Sequence, residues 1–126
     1  MPRQPEGKLH TKVQEEVRKV GGYVVKIHGS EDSYQAVGTP DLLCCVYGRF
    51  VGIETKLPGE RLRPMQRVAL HEIFNSGGVV AIVETVGQAT RLLSYLKVRR
   101  EHALIDGHSL RGICFDRGNT SSKFTL

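Results

Sequence analysis

The chain has 126 residues, 40% of them hydrophobic and 25% charged, which is enough for one hydrophobic core and predicts a single domain over residues 1–126. Its net charge of +5 favours a polyanionic partner. No apolar run reaches the length of a membrane span, and the first residues carry no apolar signal segment. We therefore expect a cytoplasmic protein without a membrane partner.

The first part of the chain predicts one helix and one strand. Residues 1–7 carry two prolines and a glycine and are expected to be irregular. Apolar residues at helical spacing predict a helix from about Lys8 to Val20, which two glycines then end. Tyr23–His28 is predicted as a strand, and a polar loop over Gly29–Thr39 follows. The expected buried stripe of the helix comprises Leu9, Val13, Val17 and Val20.

A β-hairpin is predicted in the middle of the chain. Two apolar runs, Leu42–Tyr47 and Phe50–Lys56, flank Gly48–Arg49, which we expect to form the two-residue turn. The adjacent Cys44–Cys45 would place one thiol on each face of the first strand, and both thiols are expected to be buried. The three cysteines lack the spacing of a metal site, which fits a reducing, intracellular setting.

The rest of the chain alternates between helix and strand. Helices are predicted over about Pro64–Ser76 and Val86–Arg99, around a strand over Val79–Val83 that would lie parallel to the second hairpin strand. A short extra strand is possible at Ile113–Phe115. The predicted fold class is α/β, in the order α-β-β-β-α-β-α. The buried side of the second helix is expected to comprise Val68, Ala69, Ile73 and Phe74.

Three ionisable residues should lie together at the open end of the hairpin. Asp41 precedes the first strand, while Glu54 and Lys56 stand near the end of the second and leave the same face of it. Carboxylates are ligands that Mg²⁺ and Mn²⁺ prefer, and a lysine beside a metal-bound water can orient it. A cross-strand salt bridge on the surface accounts for the same residue types about equally well.

The surrounding residues make the nuclease interpretation more specific. Pro40–Asp41 followed by Glu54–Lys56 resembles the PD-(D/E)XK nuclease signature. The continuation through Leu57, Pro58–Gly59 and Gln66 resembles the VRR-NUC branch, which includes small phage and bacterial nucleases and is similar to archaeal Holliday-junction resolvases. The resemblance covers roughly Glu6 to Leu96. The predicted domain has a core over about residues 6–99 and a C-terminal extension over about 100–126. The resemblance implies a restriction-endonuclease-like core, with a mixed sheet flanked by helices and the site at one end.

The resemblance also implies roles for single residues. Asp41 and Glu54 would hold Mg²⁺ or Mn²⁺, with the backbone carbonyl of Thr55 as a further metal ligand. Lys56 would position the attacking water or stabilise developing charge, and Gln66 would point into the same site. Without the resemblance, Gln66 is best interpreted as a solvated helix residue.

The first helix departs from the family pattern. Related enzymes usually place a metal-linked glutamate there, and the matching position in this chain is His10. Glu6, one turn earlier on the same flank, could substitute for it. His10 could itself bind the metal, although a lone histidine is more often structural. This departure bears on the number of metal ions and the rate more than on the fold.

The preferred functional interpretation is a metal-dependent DNA endonuclease that acts on duplex or junction-like DNA in repair or recombination. Arg61, Arg63 and Arg67 are candidates for contacts to phosphates, or are solvated charges unrelated to DNA. Resolvase-like relatives are dimers, so a homodimer is possible. The alternatives are a restriction or flap-type nuclease, and a catalytically weak or inactive DNA-binding module with the same fold. The loop over Gly29–Thr39 would lie beside the active site, or is only a connection.

Overall fold

The computed structural model describes residues 5–27, 38–99 and 114–116. Within these ranges no helix is both long and apolar enough to cross a membrane. The element order is the predicted one, with a fifth strand added at the end. The elements are α1 (Pro5–Lys19), β1 (Tyr23–Lys26), β2 (Leu42–Val46), β3 (Arg49–Thr55), α2 (Pro64–Asn75), β4 (Val79–Val83), α3 (Val86–Arg99) and β5 (Cys114–Asp116).

The five strands form one mixed sheet in the order β1-β2-β3-β4-β5. Antiparallel pairs join β1 to β2, β2 to β3 and β4 to β5, whereas β3 and β4 are parallel. The parallel pair is connected through α2, as its crossover requires. The α/β class with a mixed sheet between helices is therefore confirmed.

Helices cover both faces of this sheet. The larger core joins α1 and α3 to one face and includes Leu9, Val13 and Val17, as predicted for the first helix. The smaller core joins α2 to the other face. β4 contributes side chains to both cores, which explains why its sequence is a continuous apolar run rather than an alternating one. The buried side of α3 includes Ala89, Leu92, Leu93 and Leu96.

Several boundaries and burial predictions were wrong. α1 begins at Pro5 rather than Lys8, because proline is accepted in the first turn of a helix. Val20 follows the end of α1 and is exposed. Val68 is also exposed. Cys45 is exposed because α2 packs mainly over β4 and leaves its side of β2 uncovered. The predicted loop over Gly29–Thr39 lies almost entirely outside the described residues, as does His28.

The hairpin turn lies one residue earlier than predicted. Tyr47 and Gly48 both have positive φ angles, of 50° and 77°. Val46 pairs directly with Arg49, so Arg49 belongs to β3 and the turn has two residues. A two-residue hairpin turn of this kind needs positive φ at both central positions, which places the glycine second in the turn rather than first.

Gly38 fixes the approach of the chain to the start of α2. Its φ is +86°, and a Cβ atom there would lie 2.8 Å from the backbone nitrogen of Gln66 and overlap the carbonyl of Met65. Gly38 thus lets the segment before Asp41 lie directly against the first turn of α2. No other residue type fits both the backbone angle and the close contact.

We expect Gly38→Ala to destabilise the fold far more than Gly59→Ala. Gly59 has a similar φ of +89°, but a Cβ atom added there would meet no atom within 4 Å, so it isolates the backbone penalty of about 1–2 kcal/mol. Gly38→Ala adds steric overlap and should lower the free energy of unfolding by about 3 kcal/mol or more. Urea unfolding of the two variants measures the difference, and equal losses would show that the contact with α2 is not tight.

Candidate active site

The register of the hairpin places Asp41 opposite Glu54. Leu42 pairs with Ile53, so the next pair outward along the two strands is Asp41 with Glu54. Lys56 follows two positions after Glu54, and its N–H donates to the carbonyl of Val83 on β4. The structure therefore brings Asp41, Glu54 and Lys56 to one end of the sheet, while their catalytic roles stay predictions.

Thr55 holds the carboxylate of Asp41 in place. Its N–H donates to Asp41 Oδ2 over 2.9 Å, and its hydroxyl donates to the same oxygen over 2.8 Å. The N–H of the next residue, Lys56, is directed towards β4, so Thr55 presents its own backbone groups to the β2 side. The Thr55 carbonyl also faces the β2 side, where Asp41 lies. It would have to face that side to help hold a cation. The predicted metal-ligand role of the carbonyl stays a prediction.

The two carboxyl groups interact directly within a buried environment. Glu54 is only 1% exposed, and its carboxyl is hydrogen-bonded to that of Asp41. Burial alone would raise the pKa of Asp41. Hydrogen bonds from Glu54 and Thr55, with the charge of His10, outweigh burial and hold the pKa of Asp41 below its usual range. These contacts stabilise the ionised form of Asp41.

His10 reaches this pair from α1. Its Nε2 lies 3.4 Å from Asp41 Oδ2, and the residue is only 9% exposed. Both ring nitrogens are buried, and neither has a hydrogen-bond partner in the part of the chain that the structure describes. The backbone of Glu6 lies one turn earlier in α1, but its side chain falls outside the described residues. The structure therefore places His10, one of the two predicted first-helix residues, beside Asp41.

Lys56 is a buried lysine beside the carboxyl pair. The residue is 8% exposed, and within the described ranges its ammonium makes no ion pair. Lysines are rarely buried unless they are paired. An ammonium in such a position is available to a bound anion or a water molecule.

The remaining predicted residues lie on the segment that enters α2. The side-chain carbonyl of Gln66 accepts a hydrogen bond of 2.8 Å from the Arg63 N–H, so this oxygen stabilises the start of the helix. The predicted catalytic role of Gln66 stays a prediction, and in this conformation it would depend on the amide NH₂ group. The side chains of Arg61, Arg63 and Arg67 are all exposed, as phosphate contacts require.

The residues present fit a hard divalent cation. Among the described residues, no three histidine, cysteine, aspartate or glutamate side chains already converge on one point. Mg²⁺ needs only one or two carboxylates, because waters and substrate phosphates complete its coordination. Asp41, Glu54 and the carbonyl of Thr55 are sufficient for such a site. A structural zinc site, which would need four protein ligands, has no support in these ranges.

Sequence reasoning missed the hydrogen bonds that Thr55 donates to Asp41. The hairpin register could have indicated the backbone hydrogen bond. Glu54 and Lys56 direct their N–H groups towards β4, so the N–H of Thr55 between them must face β2. Nothing in the sequence, however, indicates that the Asp41 carboxylate would turn towards this N–H and the adjacent hydroxyl. Thr55 was considered only for its carbonyl.

Comparison with known proteins supports the same fold. No family model matches the sequence, and no curated protein matches it. One solved structure described as a VRR_NUC domain is 27% identical, covers 74% of this chain and 98% of its own chain, and superimposes with a TM-score of 0.59. The chain therefore has the VRR-NUC fold, and the similarity indicates a nuclease.

We expect Thr55→Val to raise the pKa of Asp41, whereas Thr55→Ser should leave it near the wild-type value. Valine keeps the backbone N–H but removes the hydroxyl that stabilises the ionised carboxylate, and serine retains that hydroxyl. NMR titration of the Asp41 carboxyl carbon in EDTA measures the shift directly. An unchanged pKa in Thr55→Val would show that the hydroxyl does not support the charge.

The free energies of unfolding of the same two variants should differ near neutral pH and converge in strong acid. A lowered folded-state pKa contributes stability above the unfolded value of about 3.9, and this stability is lost as pH falls through the folded value. In Thr55→Val the pKa of Asp41 is expected to be higher, so part of this contribution should already be absent near neutral pH.

Proposed function

We propose that this chain is a metal-dependent endonuclease that hydrolyses phosphodiester bonds in duplex or junction-like DNA. The observation that carries the proposal is the hydrogen-bonded pair of Asp41 and Glu54 beside a buried lysine, at one end of the sheet of a VRR-NUC fold. Asp41, Glu54 and the carbonyl of Thr55 would hold Mg²⁺ or Mn²⁺. The basic net charge of +5 fits a polyanionic substrate.

Each residue of the site has a chemical task in this proposal. The cation, when bound, would neutralise phosphate charge and acidify a water molecule. Thr55 holds Asp41 in its ionised form before the cation arrives, so little reorganisation is needed. Glu54 would bind the cation as the carboxylate, since metal ligands must be deprotonated. The Lys56 ammonium would donate hydrogen bonds to the attacking water or to a phosphate oxygen.

A DNA-binding module without catalysis is the second candidate. The specific observation in its favour is His10, which occupies the position where the resemblance implies a glutamate. The side-chain carbonyl of Gln66 also accepts a hydrogen bond from the Arg63 N–H at the start of α2, rather than facing only the site. A restriction or flap-type nuclease would use the same residues and differ only in substrate, so a substrate panel distinguishes it.

We expect Asp41→Asn, Glu54→Gln and Lys56→Met each to lower DNA cleavage by at least about 100-fold. Each change keeps the approximate shape of the side chain while removing its charge. The measurement is the cleavage rate of supercoiled plasmid and of junction, flap, nicked and linear DNA in Mg²⁺ or Mn²⁺, with EDTA as the zero point.

Matched controls lie on exposed helix positions. Glu72→Gln on α2 and Lys97→Met on α3 remove the same charges from exposed side chains and should leave the rate unchanged. Wild-type activity in Asp41→Asn or Glu54→Gln would remove the proposed cation site. Wild-type protein that binds DNA but cleaves none of the substrates would favour the non-catalytic module.

We expect the double variant Arg61→Gln, Arg67→Gln to bind DNA with lower affinity. Its affinity should also depend less steeply on salt concentration. Each lost phosphate contact should lower the slope of log affinity against log salt by about 0.9. Arg63 is left intact because it is the N-cap residue of α2, so its substitution could also alter the helix start. Binding isotherms at several salt concentrations give the slope.

The control is Arg91→Gln, an exposed position on α3, which packs in the core on the other side of the sheet from α2. This variant should keep the wild-type slope. If the double variant also keeps it, DNA must approach the protein from another side.

A further inference from the structure

We propose that His10 is a nitrogen ligand of the cation held by Asp41 and Glu54, and that the site therefore selects Mn²⁺ over Mg²⁺. This inference rests on the proposed function, because it assumes that the two carboxylates hold a divalent cation. It adds a ligand from α1 and a preference among metals, neither of which follows from the carboxylates alone.

The imidazole of His10 is buried and unsatisfied. Neither of its ring nitrogens has a hydrogen-bond partner within the described ranges. Every protonation state of a histidine carries at least one N–H, and the neutral ring also carries a lone pair. Buried polar groups in folded proteins are nearly always satisfied, so an exception suggests a bound water or ion.

The acceptor nearest to His10 is already engaged by other donors. His10 Nε2 lies 3.4 Å from Asp41 Oδ2, which is long for a hydrogen bond. That oxygen already accepts two hydrogen bonds from Thr55. Two such bonds use the lone pairs that a carboxylate oxygen directs towards donors. A hydrogen bond to Asp41 therefore does not account for the position of His10, whereas a cation shared by the two side chains does.

The donor atoms of the site favour a transition ion. Mg²⁺ is hard and binds oxygen, whereas imidazole suits first-row transition ions, whose affinities for such sites rise from Mn²⁺ towards Cu²⁺. His10, Asp41 and Glu54 are adjacent but do not yet converge on one point, so entry of the cation must turn one or more side chains. A glutamate at position 10 would make the same site all-oxygen and more favourable to Mg²⁺.

The decisive experiment is electron spin echo spectroscopy of the full chain with Mn²⁺ alone. Wild type should show a ¹⁴N coupling from a directly bound imidazole, and His10→Gln should lose it. His71→Gln, which changes a histidine on α2, is the matched control and should keep the coupling. Because the wild-type spectrum is informative by itself, the test does not depend on the folding of His10→Gln.

Metal affinities provide a second measurement. The affinity for Mn²⁺ is measured from the electron paramagnetic resonance signal of the unbound ion. The affinity for Mg²⁺ is measured from the amount of Mg²⁺ needed to displace Mn²⁺. The ratio of Mn²⁺ to Mg²⁺ affinity should fall at least about tenfold in His10→Glu, because an oxygen ligand replaces the nitrogen. An unchanged ratio in that variant, or a wild-type spectrum without nitrogen coupling, would overturn the inference.

The outcomes separate this inference from the proposed function. If the wild-type protein binds Mn²⁺ without nitrogen coupling, and Asp41→Asn no longer binds Mn²⁺, the cation site stands and only the role of His10 fails. If wild type binds neither Mn²⁺ nor Mg²⁺, the cation site itself fails, and the role of His10 fails with it.

Discussion

The carboxylate of Asp41, held by the N–H and hydroxyl of Thr55, is the interaction on which the site depends. It joins the start of β2 to the end of β3 at the point where the regular hairpin hydrogen bonds finish. It also orients Asp41 towards Glu54 and keeps its charge in a partly buried position. Without these two hydrogen bonds, neither the orientation of the Asp41 carboxylate nor its ionised form would be stabilised by Thr55.

The ionisable groups around Asp41 lower the free energy of unfolding rather than raise it. Glu54 is almost fully buried, Lys56 makes no ion pair in the described ranges, and His10 has two buried nitrogens without hydrogen bonds. Burial of charged and polar groups without complete pairing costs free energy. The rest of the sheet offsets this cost, because helices on both faces bury apolar side chains of β3 and β4. Local violations of this kind are expected at functional sites.

Prediction from the sequence succeeded where the signal was local. The spacing of Leu9, Val13 and Val17 indicated the buried stripe of α1, and the apolar run of β4 indicated a strand covered on both faces. Prediction failed where an outcome depended on another element. The turn moved to Tyr47 and Gly48 because strand pairing decides which residues take positive φ angles. The burial of Cys45 depended on where α2 lies over the sheet, which no local pattern specifies.

By itself, the sequence determined the order of the elements and the proximity of Asp41 to Glu54, because a hairpin with a short turn brings its two open ends together. Only the tertiary structure decided that His10 lies beside Asp41, and that Thr55 donates two hydrogen bonds to the same oxygen. The reason is physical. Residues 10 and 41 belong to elements whose relative position is set by packing across the whole core, and the direction of a carboxylate depends on which donors that packing leaves within reach.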